Sequence, residues 1–464
     1  MPLVNVKNIV EKARSAQSIF EASQQEIIDY LVVGLAWSII NPKTNRSLSE
    51  QAVKDTGLGN VEDKIIKNHR KTIGLLHDLK DAPSYGIIRN SPEKGLIEIA
   101  RPVGVIGAIT PSTNPIATPL NKILNAIKCR NSIILAPSPK GEKVCQRIVK
   151  YLQNTLMNLG QPKNLIQKIP GPINKISTNE LMKLVDLVLV TGSQNNVRGA
   201  YQSGTPSIGV GAGNVSSIID ETADIEDAAK KIIISKSFDN ATSCSSENSI
   251  IIIEEIYDKV IYALEKYGAV LLNNLQKENL EKNLWINGKL NTNLTAKSAY
   301  EISKEINLDL PKIEQIKVLM VEETGKGKNY PFSGEKLCPV LTVYKASNFE
   351  DACRQVNEIY NFQGKGHSVG LHTQDENRPS KIGFKLHACR VIVNQAHCTA
   401  AGGSFDNSLP FSLSMGCGTW GGNSISENLN YKHFLNIVKV VKTIEPQEPN
   451  ELDIFSKYWD KYGK

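Results

Sequence analysis

The run Val103-Gly104-Val105-Ile106-Gly107-Ala108-Ile109, continuing into Thr110-Pro111-Ser112-Thr113-Asn114-Pro115, is a short apolar stretch that ends in turn chemistry. An apolar run of this length, closed by proline, fits a strand buried on both faces. Behind it come a helical pattern over 116–128, a strand over 132–136, a helix over 142–158, a strand over 184–190 and a helix over 195–203. Strands that alternate with helices in this way predict a parallel sheet covered on both sides, and so an α/β fold class.

Outward from this block the pattern changes twice. Toward the N-terminus, residues 9–22, 25–39 and 61–79 carry apolar residues at three- and four-residue spacing and predict helices. Two short β-like runs, 86–89 and 96–100, flank Asn90-Ser91-Pro92-Glu93-Lys94-Gly95, which is a hairpin signal. Toward the C-terminus a second α/β block starts near Gly213, with a strand over 215–219, a helix over 225–237, a strand over 249–254 and a helix over 257–267. Further strands are predicted at 317–321, 340–344, 368–372 and 391–394, and a last one at 434–443. The section 271–316 is polar and gives no clear period. The expected domains are 1–212, with a bridging hairpin at 85–102, then 213–415, and a C-terminal return with a bridging strand over 416–464.

A chain of 464 residues can bury a large core in two or three domains. Its formal charge of +7 is small for this length, and Lys and Arg are spread out, so no nucleic-acid partner is indicated. No apolar stretch approaches the ~18 to 20 residues of a membrane span, and 1–22 has no signal-peptide core, so no membrane partner and a cytoplasmic location are expected. The eight cysteines are scattered without a CxxC pair or a zinc-like spacing. They read as reduced thiols, and no metal site is expected.

One of those cysteines stands apart. In Phe238-Asp239-Asn240-Ala241-Thr242-Ser243-Cys244-Ser245-Ser246-Glu247 the thiol lies in a small, polar loop between a predicted helix and an apolar strand. A packing cysteine belongs inside an apolar run, whereas a nucleophile needs access and hydrogen-bond donors, which a loop held by a strand supplies.

Several ordered segments carry a resemblance: Asp55-Thr56-Gly57-Leu58-Gly59-Asn60-Val61-Glu62-Asp63-Lys64, the 102–115 run, Val190-Thr191-Gly192-Ser193, the Cys244 loop, Gly334-Glu335-Lys336-Leu337 and Gly366-His367-Ser368. Together they resemble the aldehyde dehydrogenase superfamily, and within it the branch that passes the acyl group to coenzyme A. The resemblance implies two Rossmann-like α/β domains joined by a bridging β hairpin, which in relatives builds a dimer, so a homodimer or homotetramer is expected. It implies Cys244 as nucleophile and Asn114 as donor to the oxyanion, although an Asn before Pro115 also suits a helix cap. His367 would assist proton transfer to or from coenzyme A, and Glu335 would hold the nicotinamide ribose. The Thr191-Gly192-Ser193 turn lets backbone approach a phosphate at a helix start. Ile109, Thr110, Pro111, Ser138, Lys140, Val210, Gly211 and Leu337 would complete the cofactor site.

A departure is informative too. In Gly209-Val210-Gly211-Ala212-Gly213-Asn214, Val210 stands where hydrolytic members carry a water-activating glutamate. Loss of that base disfavours water, while a thiol of pKa ~8.5 is already partly thiolate at neutral pH. The expected cofactor is NAD or NADP, because Ala136-Pro137-Ser138-Pro139-Lys140 has no acid for the adenosine ribose and Lys140 or Lys143 can meet a 2′-phosphate. The expected partners are a small aldehyde and coenzyme A. The segments 405–411 and 416–423 look most like those of members acting on sulfoacetaldehyde, with succinate semialdehyde and acetaldehyde as alternatives. No arginine cluster announces an anionic tail, so polar turns and His397 would have to hold it. A non-catalytic scaffold that kept the fold is the rival reading, opposed by Cys244, Asn114 and Glu335 occurring together.

Overall fold

Asn41 starts the first element that periodicity did not predict. Its side chain accepts from the N–H of Thr44, Pro42 takes the first helical position, and Gly57 ends the helix Pro42–Thr56 with a φ of 70°. This helix buries Asn45, Ser49 and Thr56 as well as Leu48 and Ala52, so its inward face is not apolar. It packs beside the helices Gln25–Ile40 and Val61–Leu79, whereas Val6–Phe20 packs against the first sheet. The computed structural model describes residues 5–211 and 213–464, so Ala212 of the glycine-rich run and the first four residues lie outside the described residues.

The first sheet has five parallel strands in the order Ile166–Lys168, Ser132–Pro137, Val105–Thr110, Leu187–Thr191, Ser207–Val210. Its central strand is the first in sequence, and the chain then winds outward in both directions. The crevice beyond the carboxyl ends of Val105–Thr110 and Leu187–Thr191 is therefore the switch point at which open α/β sheets take ligands. The strand predicted from 184 starts at Leu187 instead, because Leu184 closes a helix, Lys175–Leu184. Asp186 sits between the two and accepts from the N–H of Val105 at 2.7 Å.

The second sheet has seven parallel strands, ordered Ala269–Leu271, Val318–Glu322, Val340–Ala346, Glu247–Ile253, Val215–Ile219, Val369–His372, Val391–Val393. Glu247–Ile253 is buried along its whole length, which is why its isoleucines run on without a polar partner. The section without a clear period holds helices Asn274–Leu284 and Ala299–Glu305, each opened by a capping box, Asn273 with Gln276 and Ser298 with Glu301.

The predicted hairpin forms from Gly86–Ser91 and Leu96–Pro102, and Leu435–Val441 pairs antiparallel with its second strand from Leu435 opposite Pro102 to Val441 opposite Leu96. Among the described residues no helix is long and apolar enough to cross a membrane.

Candidate active site

The loop that delivers Cys244 is bent by three consecutive left-handed residues, Asp239 (φ 49°), Asn240 (φ 53°) and Ala241 (φ 57°). Each such non-glycine residue costs about 1–2 kcal/mol, so something must hold the turn. The buried Asp239 carboxylate does so. It accepts from the N–H of Asn60 at 3.0 Å, Lys64 Nζ at 3.0 Å, Lys67 Nζ at 2.5 Å and Thr242 Oγ1 at 2.7 Å. Its own N–H donates to Asp63 Oδ2 at 2.7 Å. Burial raises the Asp239 carboxyl, but Lys67 and Lys64 together carry it below the usual range, so it is ionised. Gly59 makes room for it, since a Cβ there would stand 1.9 Å from Asp239 Oδ1.

Beyond this turn, half-buried Cys244 meets His367 from the second sheet, with Sγ 3.6 Å from Nε2. His367 Nδ1 lies 2.7 Å from Ser368 Oγ. Burial, then the charges of Arg390 and His397, push the imidazole down to about 3, so it is neutral. In the tautomer that carries its hydrogen on Nδ1, toward Ser368, Nε2 is left as an acceptor for the thiol hydrogen. Burial pushes the Cys244 thiol up to about 12, and the Glu335 charge adds to this. The resting pair is therefore thiol and imidazole. Buried Arg390 holds this arrangement by donating to the carbonyls of His367 at 3.0 Å and Gly416 at 2.9 Å. At Gly213 a Cβ would stand 2.4 Å from the Cys244 carbonyl oxygen and 3.2 Å from the His367 ring, so glycine allows the close approach.

Asn114 follows the central strand of the first sheet, and its side chain caps nothing. The helix Ala117–Lys128 starts at Ile116 without a side-chain cap. Only the Asn114 carbonyl takes a helical bond, from Thr118, while its Oδ1 accepts from Lys67 Nζ at 2.9 Å.

One cleft of about 630 Å³ joins these parts. Ile109, Thr110, Pro111 and Asn114 line it from the switch point, with Ser138 at one side. Thr191, Gly192, Ser193 and Gly211 form the next wall. Cys244, Thr242, Glu335 and Leu337 close the far end. Three residues of the expected set, Val210, Lys140 and His367, stay outside the lining. Val210 is buried in the end of its strand, and Lys140 is exposed on a short turn, Pro139–Gly141. His367 stands behind Cys244. His397 turns Nδ1 to the Ser245 carbonyl at 2.8 Å, and His372 is buried on its strand.

The cleft has the features a dinucleotide needs. Ser193 caps the helix Gln194–Gln202, Gly192 has open space where a Cβ would be, and the helix start favours a phosphate. Glu335 keeps some solvent access, yet the protein around its carboxyl pushes it up to about 8, with Lys236 opposing. Ribose hydroxyls bonded to it would relieve that desolvation.

Sequence reasoning missed Lys67, Asp239, Thr242 and Ser368. Lys64, Lys67, Asn68 and Lys71 are all buried on one face of Val61–Leu79. Their 3–4-residue spacing is present in the sequence, but in polar residues, so the apolar period does not include it.

The family model for the aldehyde dehydrogenase family matches residues 4–279. Over 459 residues the chain is 50% identical to sulfoacetaldehyde dehydrogenase (acylating) of Cupriavidus necator, covering 99% of this chain and 93% of that protein. The solved structure of an acetylating aldehyde dehydrogenase from Geobacillus thermoglucosidasius superposes with a TM-score of 0.92 at 37% identity, covering 96% of this chain and 98% of that one. Propionaldehyde dehydrogenase of Rhodopseudomonas palustris, solved with bound propionyl-CoA, gives a TM-score of 0.83 at 27% identity over 94% of each chain. With kinship at this identity over nearly the full length of both sequences, the chain belongs to the aldehyde dehydrogenase family.

Proposed function

We propose that the protein oxidises sulfoacetaldehyde to its coenzyme A thioester with NAD or NADP. The observation that carries the acylating half is the lack of a free carboxylate to activate water. Glu335 is the one carboxylate among the described residues lining the cleft, and Val210 occupies the place of the hydrolytic glutamate with a buried aliphatic side chain. Once Glu335 holds ribose hydroxyls, no carboxylate remains to activate water, and a thiol substrate needs none.

The steps follow from the geometry. As Cys244 sulfur bonds to the aldehyde carbon, its hydrogen passes to His367 Nε2, and the carbonyl oxygen becomes an alkoxide beside the Asn114 amide. The cofactor, when bound along the switch point, supplies the two-electron acceptor. Collapse of the alkoxide leaves a thioester on Cys244. His367 releases the proton it took from Cys244 to solvent; the coenzyme A thiol then attacks the thioester, giving its own proton to His367, which returns it to Cys244 as the thiolate leaves. The balance is aldehyde, coenzyme A and NAD(P)⁺ to acyl-CoA, NAD(P)H and a proton. The name of the Cupriavidus relative and the propionyl-CoA held by the Rhodopseudomonas structure support this reading.

The sulfonate reading is supported by a cation on the helix Val61–Leu79, to which sequence reasoning gave no role in the site. Half-buried Arg70 is the cation with a donor to spare, since Lys67 spends its hydrogens on Asn114, Asp239 and Thr242, and Lys71 donates to the Gly402 and Gly403 carbonyls. Arg70 Nη2 donates to Ser404 Oγ at 2.5 Å, while its buried Nε has no partner. His397 is engaged with Ser245 instead. We also infer that 1–212, 213–415 and 416–464 act as nucleotide-binding, catalytic and bridging parts, and that the exposed strand Leu435–Val441 supports assembly as a dimer or tetramer. A cytoplasmic location suits eight free cysteines.

The test compares kcat/KM for sulfoacetaldehyde, succinate semialdehyde and acetaldehyde at one coenzyme A concentration. Donors left unpaired by a missing anionic group penalise an analogue far more than a missing methylene does, so a preference over acetaldehyde of at least about 100-fold is expected. A ratio near one sinks the sulfonate reading and leaves a general short-chain acylating enzyme.

A further inference from the structure

We propose that Lys67 is a positioning residue for this chemistry: it fixes the side-chain amide of Asn114 with its N–H₂ group turned to the oxygen that becomes the alkoxide. The inference rests on the reading of Asn114 as the oxyanion donor. A primary amide has a donor end and an acceptor end of nearly the same shape, and only the donor end can stabilise an oxyanion. Something must therefore choose between two orientations related by a half-turn.

Lys67 makes that choice. Its ammonium has three donors and no acceptor, so the group facing it at 2.9 Å can only be Asn114 Oδ1. The flipped amide would set N–H against N–H in a buried place. Nδ2 is then left for the cleft that Asn114 shares with Cys244.

The ammonium is itself immobilised. Besides Asn114 it donates to Asp239 Oδ2 at 2.5 Å and to Thr242 Oγ1 at 3.2 Å, so its three hydrogens have three partners. Thr242 spends its own hydrogen on Asp239, which leaves its oxygen free to accept from Lys67. Only 7% of the Lys67 side chain is exposed, so water does not compete for these positions. Asp239 also holds the left-handed turn five residues before Cys244. One buried ammonium thus ties the oxyanion donor to the loop that carries the nucleophile.

A double-mutant cycle tests this. Kinetics are measured on the full chain with saturating NAD(P)⁺ and coenzyme A for wild type, Lys67→Met, Asn114→Ala and the double variant. Lys67→Met is expected to lower kcat by about 30- to 100-fold, part of the loss on removing an oxyanion donor, with the aldehyde KM within about threefold. In the Asn114→Ala background the same change is expected to cost under about threefold, because no amide remains to orient. Alkylation of Cys244 by iodoacetamide builds no alkoxide, so its rate should stay within about threefold of wild type in Lys67→Met. Lys67→Arg, which keeps donors for all three acceptors, should recover most of kcat. Should Lys67→Met not fold, Lys67→Gln is read by the same cycle. Losses that multiply in the double variant, or alkylation that falls in step with kcat, overturn the role of Lys67 and leave it a structural lysine. A full-rate Asn114→Ala enzyme instead overturns the oxyanion reading, and the Lys67 proposal with it.

Discussion

Cys244→Ser is expected to lower kcat by at least about 1,000-fold, a loss of ~4 kcal/mol of transition-state stabilisation. The serine hydroxyl fits the space of the thiol, but nothing present can activate it. Among the described residues His367 is the one side-chain proton acceptor in contact with Cys244, and burial has pushed it down to about 3. Its Nδ1 faces the Ser368 hydroxyl rather than a carboxylate, so no charge stabilises the imidazolium that serine chemistry requires. A thiol tolerates this weak base because sulfur is intrinsically nucleophilic. Stability should change by less than about 1 kcal/mol, as the substitution leaves the packing in place. Steady-state rates with equilibrium cofactor binding check both parts, and a variant that keeps more than about a tenth of wild-type kcat removes Cys244 as the nucleophile.

Asn114→Ala is expected to cost about 100- to 1,000-fold in kcat, or ~3 kcal/mol, with little change in aldehyde KM. The charge on the carbonyl oxygen grows only as the carbon–sulfur bond forms, so a donor aimed at it acts on the transition state more than on the bound aldehyde. Asn114 makes no helix cap, so its loss does not unravel the helix Ala117–Lys128. The substitution does strip one acceptor from Lys67, which keeps Asp239 and Thr242. A rise in KM at constant kcat would assign Asn114 to substrate binding instead.

Both sheets were legible in the sequence because parallel strands buried on two faces leave uninterrupted apolar runs, such as Ile250 to Ile253. Among the elements that escaped are the short strands Ile166–Lys168, Ser207–Val210 and Ala269–Leu271, and elements whose buried faces are polar or whose signals are caps. Pro42–Thr56 turns Asn45 and Ser49 inward to Asn68 Nδ2, at 2.9 and 3.2 Å, so its hydrophobic period is broken while Asn41-Pro42 and Gly57 mark its ends. Asn274–Leu284 and Ala299–Glu305 are likewise marked by capping boxes.

In the site, Cys244 stood out because a thiol sits in a polar turn beside an apolar strand, whereas Asn114 came from the family resemblance, since an Asn before Pro115 suits a helix cap as well. The contact of Cys244 with His367 spans 123 positions, and no local pattern encodes it. Lys67 and Asp239 stayed hidden for a different reason. A lysine at helical spacing is ordinarily solvated, and only the tertiary structure shows that Lys64 and Lys67 are buried against a single carboxylate.

The central claim is that the thioester on Cys244 is resolved by coenzyme A and not by water. Product analysis with and without coenzyme A, alongside the absorbance of NAD(P)H, tests it most directly. With coenzyme A, thioester and NAD(P)H should appear in equal amounts at a steady rate. Without it, about one NAD(P)H per Cys244 should form in a burst, because water without a base resolves the thioester slowly. Steady release of free acid at the same rate with coenzyme A withheld would contradict the account.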